Sequence, residues 1–430
     1  MGGSIRIYAF AVIFVTLIIT TAVIGTRGGA FSTSSTTPPE PEVNLIAFVD
    51  LEGSIKTMRP DGSSVAQISP EDGIFTWPSW SPDATQVAFS GITLQDDMRS
   101  PLTLFVLRFG DDEPKTIYTN KPDMGPILVG MPHYALWSPD SKRLSFMAST
   151  PEGLTIFIDD LHDNSESQVV LRNSPLYAAW SSDSDYLIVH GNVDHFLVDV
   201  NDAGNAIDLG IRSSRYRTPA WWSSGNGLAY VADDPTGRAS LYSSEPTSES
   251  RILIDEAPGN TAFLWSPDGQ SLAVARPGQA LGAIAGFVYQ GVTFFSPDGV
   301  RQSLEIDENV IAYFWSPDST KLAYVTLSDT RGALRWNILD VQDDARWPLV
   351  DFLPTQDQLS IFQFFDQFAY SQSMWSPDSR SLVFAGSIVD EGVSASLRLQ
   401  PVSQIIVLDT EPNPAVQPIA DGLLGTWSPR

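Results

Sequence analysis

Residues 265–275 read WSPDGQSLAVA: a tryptophan, a turn and an apolar run of strand length. The middle is strong turn chemistry. Pro fixes φ at the first central position, Ser and Asp cap nearby backbone groups, and Gly accepts the tight exit. The run that follows has the length and composition of a buried strand. One such hairpin is marginal alone, so the fold depends on how often the chain repeats it.

It repeats throughout. Further WSPD copies begin at Trp80, Trp137, Trp315 and Trp375, and weaker ones at Trp180 (WSSD), Trp222 (WSSG) and Trp427 (WSPR). Together with Trp265 these eight tryptophans are separated by 57, 43, 42, 43, 50, 60 and 52 residues, intervals that suit four short strands and their turns. A second set of turns, such as RPDG at 59–62 and SPDG at 296–299, closes the hairpin of the third and fourth strands.

The two ends complete this pattern. Residues 44–50, NLIAFVD, look like a second strand without a first, and residues 425–428 like a first strand without a second. If the C-terminal strand joins strands near 44–50, 54–59 and 63–69, the ring closes and leaves no inner sheet edge bare. The expectation is an all-β propeller of eight four-stranded blades, with seven as the alternative.

These residues resemble the TolB-like propeller repeat, whose signature is Trp-Ser-Pro-Asp-Gly followed by an apolar strand. The resemblance covers about residues 44–430. TolB-like propellers usually have six blades and the related peptidase-associated propellers seven or eight. The resemblance implies partner binding or guarding of a neighbouring domain, and it transfers no catalytic residue.

Composition narrows the function. Among 430 residues, 25 Lys and Arg stand against 51 Asp and Glu, a formal net charge of -26, so a broad nucleic-acid footprint is excluded. Without cysteine there is no disulfide, thiol nucleophile or Cys-ligated metal. At the N-terminus, Arg6 precedes an uncharged apolar stretch from Ile7 to Gly25, long enough to span a bilayer as a helix. Three regions follow: a membrane anchor or signal sequence at 1–27, a Ser/Thr/Pro linker at 28–43 and the propeller at 44–430. A short cationic head before a large acidic domain favours a membrane-anchored propeller on the periplasmic or extracellular side.

Chemistry-bearing motifs are sparse. There is no G-x-S-x-G elbow and no phosphate-cradling glycine loop. His190, Asp194 and His195 are the nearest approach to a metal cluster, and a turn or surface role is preferred. No cofactor and no metal are expected. The eight repeat tryptophans are expected as wedges between blades.

The connections on one face of the disk are long: 91–102, 119–133, 276–291, 351–372 and 387–402. Loops of this length usually carry function. Two stretches stand out as partner-binding candidates. One holds Phe352, Phe362, Phe364, Phe365, Phe368 and Tyr370, rings that either form a docking patch or cap the propeller's own channel. The other is RSSRYRTP, with Arg212, Arg215 and Arg217 in a chain short of cations. The sequence therefore points to a membrane-tethered extracytoplasmic propeller that binds a protein or envelope partner through this face. The alternatives are a propeller hydrolase acting on a glycan or peptide, and an accessory subunit of a larger membrane complex.

Overall fold

The computed structural model describes residues 44–430, except 94–100, 121–132, 164, 203–204, 216, 224, 226, 279–287, 331 and 390–401. The apolar segment at 7–25 and the linker at 28–43 lie outside the described residues, as do most of four of the long connections. No helix among the described residues is long and apolar enough to cross a membrane.

The described chain folds into six four-stranded antiparallel sheets and one seven-stranded sheet. Five of the four-stranded sheets use consecutive strands; the first runs Gly73–Trp80, Gln86–Thr93, Thr103–Arg108, Lys115–Thr119. The sixth joins the two ends of the domain. Leu424–Trp427 pairs antiparallel with Ile46–Val49, in the register Ile46↔Trp427 to Val49↔Leu424. Asn44 N donates to Arg430 O at 2.5 Å, and Leu45 N donates to Ser428 Oγ at 2.9 Å. In the seven-stranded sheet, Ala345–Pro354 runs past its own partners to pair Phe352–Pro354 with Gly386–Ile388.

Several repeat tryptophans tie their own repeat to the one before it. Trp137 Nε1 donates to Ser79 O, Trp180 to Leu136 O, Trp315 to Leu264 O and Trp375 to Phe314 O, at 3.0–3.3 Å. Each acceptor is the carbonyl just before the preceding repeat tryptophan. Trp80 Nε1 reaches Thr426 O at 3.3 Å, which carries the same contact across the closure. These tryptophans are buried, so a flat ring fills the wedge between sheets while its one N–H finds a backbone acceptor. The result is a β-propeller.

One repeat position differs from the sequence reading. Trp221 ends the first strand Ala220–Trp221, pairs with Leu228, and donates to Ala179 O at 2.9 Å. Trp222 instead stands where other copies have Ser: its N donates to Gly227 O as Ser181 N does to Tyr186 O. The expectation that Trp222 is the wedge is therefore corrected to Trp221. Trp222 is half-buried against Trp265 at 5.6 Å, and the Nε1 of both rings lacks a partner.

The Ser-Pro-Asp turns also link sheets. Ser81 Oγ donates to Asp83 Oδ1 at 2.7 Å and accepts Gln86 N at 2.9 Å, locking the turn locally. Asp83 N then donates to Ser141 Oγ of the next turn, Asp140 N to Ser184 Oγ, Asp268 N to Ser319 Oγ and Asp318 N to Ser379 Oγ. The four accepting serines all hold positive φ, 60–67°. Removing one hydroxyl, as in Ser141→Ala, is expected to cost about 1 kcal/mol of stability in urea titration.

Outer edges are blunted. The pairing of third with fourth strand slips by a bulge in seven of the repeats, at Leu104/Phe105, Ile156/Phe157 and Leu241/Tyr242 for example. Such bulges increase twist and make poor templates for edge-to-edge pairing.

Candidate functional site

The channel mouth on the long-connection face is closed by residues 355–372. Thr355 caps the first helix, accepting Gln358 N at 3.1 Å, and α1 (Gln356–Gln363) and α2 (Phe365–Phe368) follow. Ile361, Phe362, Phe365 and Phe368 fall on one stripe at helical spacing, and all four are buried.

That stripe rests on first and third strands of several sheets. Phe362 meets Trp336 edge-on at 5.4 Å, Phe365 lies against Tyr313 at 4.6 Å and Tyr289 at 5.7 Å, and Phe368 meets Trp77 at 4.6 Å and Tyr134 at 5.5 Å. Polar contacts fix the same pose. Tyr134 Oη donates to Gln367 O at 2.7 Å, Gln372 Nε2 donates to Pro78 O at 2.9 Å, and Gln358 Oε1 accepts Ala385 N at 3.0 Å. The insert is thus a stopper seated across the ring.

A buried ion pair joins stopper to ring. Arg217 Nη1 lies 3.1 Å from Asp366 Oδ2, with the two residues 7% and 4% exposed. Arg217 Nη2 donates to Asn260 O at 2.5 Å and to Tyr289 Oη at 3.0 Å. Burial disfavours the charged guanidinium, yet Tyr289 and Asp366 outweigh it and hold Arg217 protonated.

The partner-binding candidates divide accordingly. Phe352, Phe362, Phe365 and Phe368 are core residues, 0–6% exposed, so the expected docking patch does not include them. The helical stripe turns Phe362, Phe365 and Phe368 inward, and Phe352, on the strand Ala345–Pro354, packs against Trp336 and Phe384. Phe364 and Tyr370 are 42% and 43% exposed. Arg212 is exposed and paired with Asp194 at 3.1 Å, Arg215 is half-buried, and Arg217 is interior, which removes it from any docking surface. The sequence reading missed Asp366, Asn260, Tyr289 and Tyr134. One signal was present: Asp366 sits inside the run FFDQF, where a buried acid requires a partner.

The histidines hold backbone. His190 and His195 stack at 4.2 Å, with His190 Nδ1 3.0 Å from Arg217 O and His195 Nδ1 3.1 Å from Ile211 O. Among the described residues no group of three metal-ligating side chains exists. His133 is buried between Ser90 Oγ and Asn120 Oδ1. Burial pushes His133 down to about 4, and burial together with His190 pushes His195 down to about 3. The unfolded chain takes up these protons near pH 6.5, whereas the folded chain does so only at lower pH. Stability is therefore complete above about pH 7 and falls as pH drops, by up to ~1.4 kcal/mol per unit for each histidine. Urea titrations from pH 7.5 to 4.5 should show that decline, and His133→Gln should reduce its slope.

No protein-family model and no curated protein matches the chain. Solved structures do. A eukaryotic initiation factor is similar at 14% identity with a TM-score of 0.54, over 90% of this chain and 99% of its own. That likeness shows the fold and nothing further. TolB from Acinetobacter baumannii is similar at 14% identity and a TM-score of 0.36, over 83% of this chain and 82% of its own. Puromycin hydrolase is similar at 16% identity and a TM-score of 0.41, over 66% of this chain and 49% of its own.

Proposed function

We propose that the chain is an eight-bladed TolB-like propeller, anchored outside the cytoplasm by residues 7–25, that binds a protein or envelope partner without catalysing a reaction. The count of eight rests on treating the seven-stranded sheet as two blades. Trp375, bridged to Leu382, begins the second of them, followed by Ser381–Ile388, Gln404–Asp409 and Val416–Asp421.

The observation that carries the binding reading is the stopper itself. It fills the channel mouth on the face with the long connections and leaves Phe364 and Tyr370 exposed there. A hydrolase reading needs two carboxylates converging without cationic partners. Asp366 is paired with Arg217, which favours the non-catalytic reading.

A photo-crosslinking residue at Phe364 or Tyr370 should capture a partner in native membranes, and one at Asp202 in the turns of the opposite face should not. Phe364→Ser/Tyr370→Ser should abolish capture while leaving the unfolding midpoint within about 1 °C, since both side chains are exposed. Capture that persists in this variant, or that occurs from Asp202, would place the binding face elsewhere. Membrane attachment is checked separately: the full-length protein should leave the membrane fraction only with detergent.

A further inference from the structure

Resting on the binding role proposed for this face, we infer that the solvent-facing stripe of α1 docks a basic, amphipathic partner segment. The segment brings an Arg or Lys side chain to Asp357 and an apolar one to Phe364, about 10 Å further along the helix.

Helical spacing sets the stripe. Asp357, Ser360 and Phe364 stand at i, i+3 and i+7 and so line one side of α1, with Phe364 as its C-cap. Phe364 is 42% exposed, whereas Asp357 and Ser360 are half-buried. Ser360 is satisfied within the helix, since its Oγ donates to Gln356 O at 2.9 Å. Asp357 stands at the margin of the stripe, one turn before Ile361, which is 0% exposed.

Charge is what this stripe leaves uncompensated. Residues 352–374 hold two acids and no Lys or Arg. Asp366 is paired with Arg217, but Asp357 has no ion pair and no hydrogen bond among the described residues. Burial alone acts on its carboxyl and pushes it up to about 6. The helix dipole favours an acid in the first turn on any side of the helix, so it does not account for an acid set against the core. A partner's cation supplies the interaction that Asp357 lacks, and an apolar neighbour of that cation covers the Phe364 ring. A neutral or acidic partner would leave the carboxylate desolvated and alone.

Octylguanidine, a cation with an apolar tail of about this span, is the probe. In calorimetry it should bind the wild-type protein about tenfold more tightly than Asp357→Asn or Phe364→Ser. Octanol, which has no charge, should not distinguish wild type from Asp357→Asn. Asp357→Asn should also raise the thermal midpoint at pH 7.5 by about 1–2 °C, because it removes a desolvated charge. A fall would mean that the chain itself pairs Asp357, and it overturns the inference, as does equal binding of octylguanidine by wild type and Asp357→Asn. The photo-crosslinking residue at Phe364 separates the charge pairing from the binding role of the face. Capture should be lost in Asp357→Asn and kept in Asp357→Glu. Capture undiminished in Asp357→Asn keeps the face and overturns the pairing, and no capture from the wild-type protein overturns both.

Discussion

Deleting residues 424–430 is expected to abolish cooperative unfolding of the domain. The deletion removes the strand Leu424–Trp427, whose four residues pair with Ile46–Val49, and bares that edge to solvent. Leu424 and Trp427 are 0% and 2% exposed, so the lost burial alone amounts to about 6–9 kcal/mol. Trp80 Nε1 also loses its acceptor at Thr426 O, and Leu45 N loses Ser428 Oγ. The sum is comparable with the whole stability of a typical domain, about 5–15 kcal/mol. Calorimetry decides the matter: a sharp transition unchanged by the truncation would mean that the ring does not depend on this closure.

The second large effect separates neighbours in sequence. Phe365→Ala is expected to cost about 3–5 kcal/mol, because its ring is fully buried between Tyr289 and Tyr313 under the stopper. Phe364→Ala, one residue earlier and 42% exposed, is expected to cost about 0.5 kcal/mol or less. Urea titration measures both. Equal losses at the two positions would place the insert in a different pose.

The repeat could be read in the sequence because its chemistry is local. A Pro-fixed turn with capping Ser and Asp declares itself within five residues, and the spacing of its copies announces the ring. Trp222 shows the limit of that reading. In the doublet Trp221-Trp222 either residue can be aligned with WSSG, and only the pairing of Trp221 with Leu228 decides. The insert shows a deeper limit. A density of phenylalanines fits a docking patch or a core equally well, and the choice depends on which way a short helix turns. The ion pair that seats it joins residues 149 positions apart, a relation that no local pattern encodes. Nothing in RSSRYRTP alone distinguishes Arg217, buried, from Arg212, exposed and bound to Asp194.

The stopper occupies the channel mouth, and a cross-link tests that most directly. The chain has no cysteine, so an introduced pair reports without background. Tyr134 Oη lies 2.7 Å from Gln367 O across 233 positions of sequence. Tyr134→Cys with Gln367→Cys should be joined rapidly and almost completely by a short bismaleimide in the folded protein. Gln367→Cys with Ser141→Cys, a position in the turns of the opposite face, should stay unlinked. Absence of the first link in a folded variant, or equal linking of both pairs, would contradict the closed mouth.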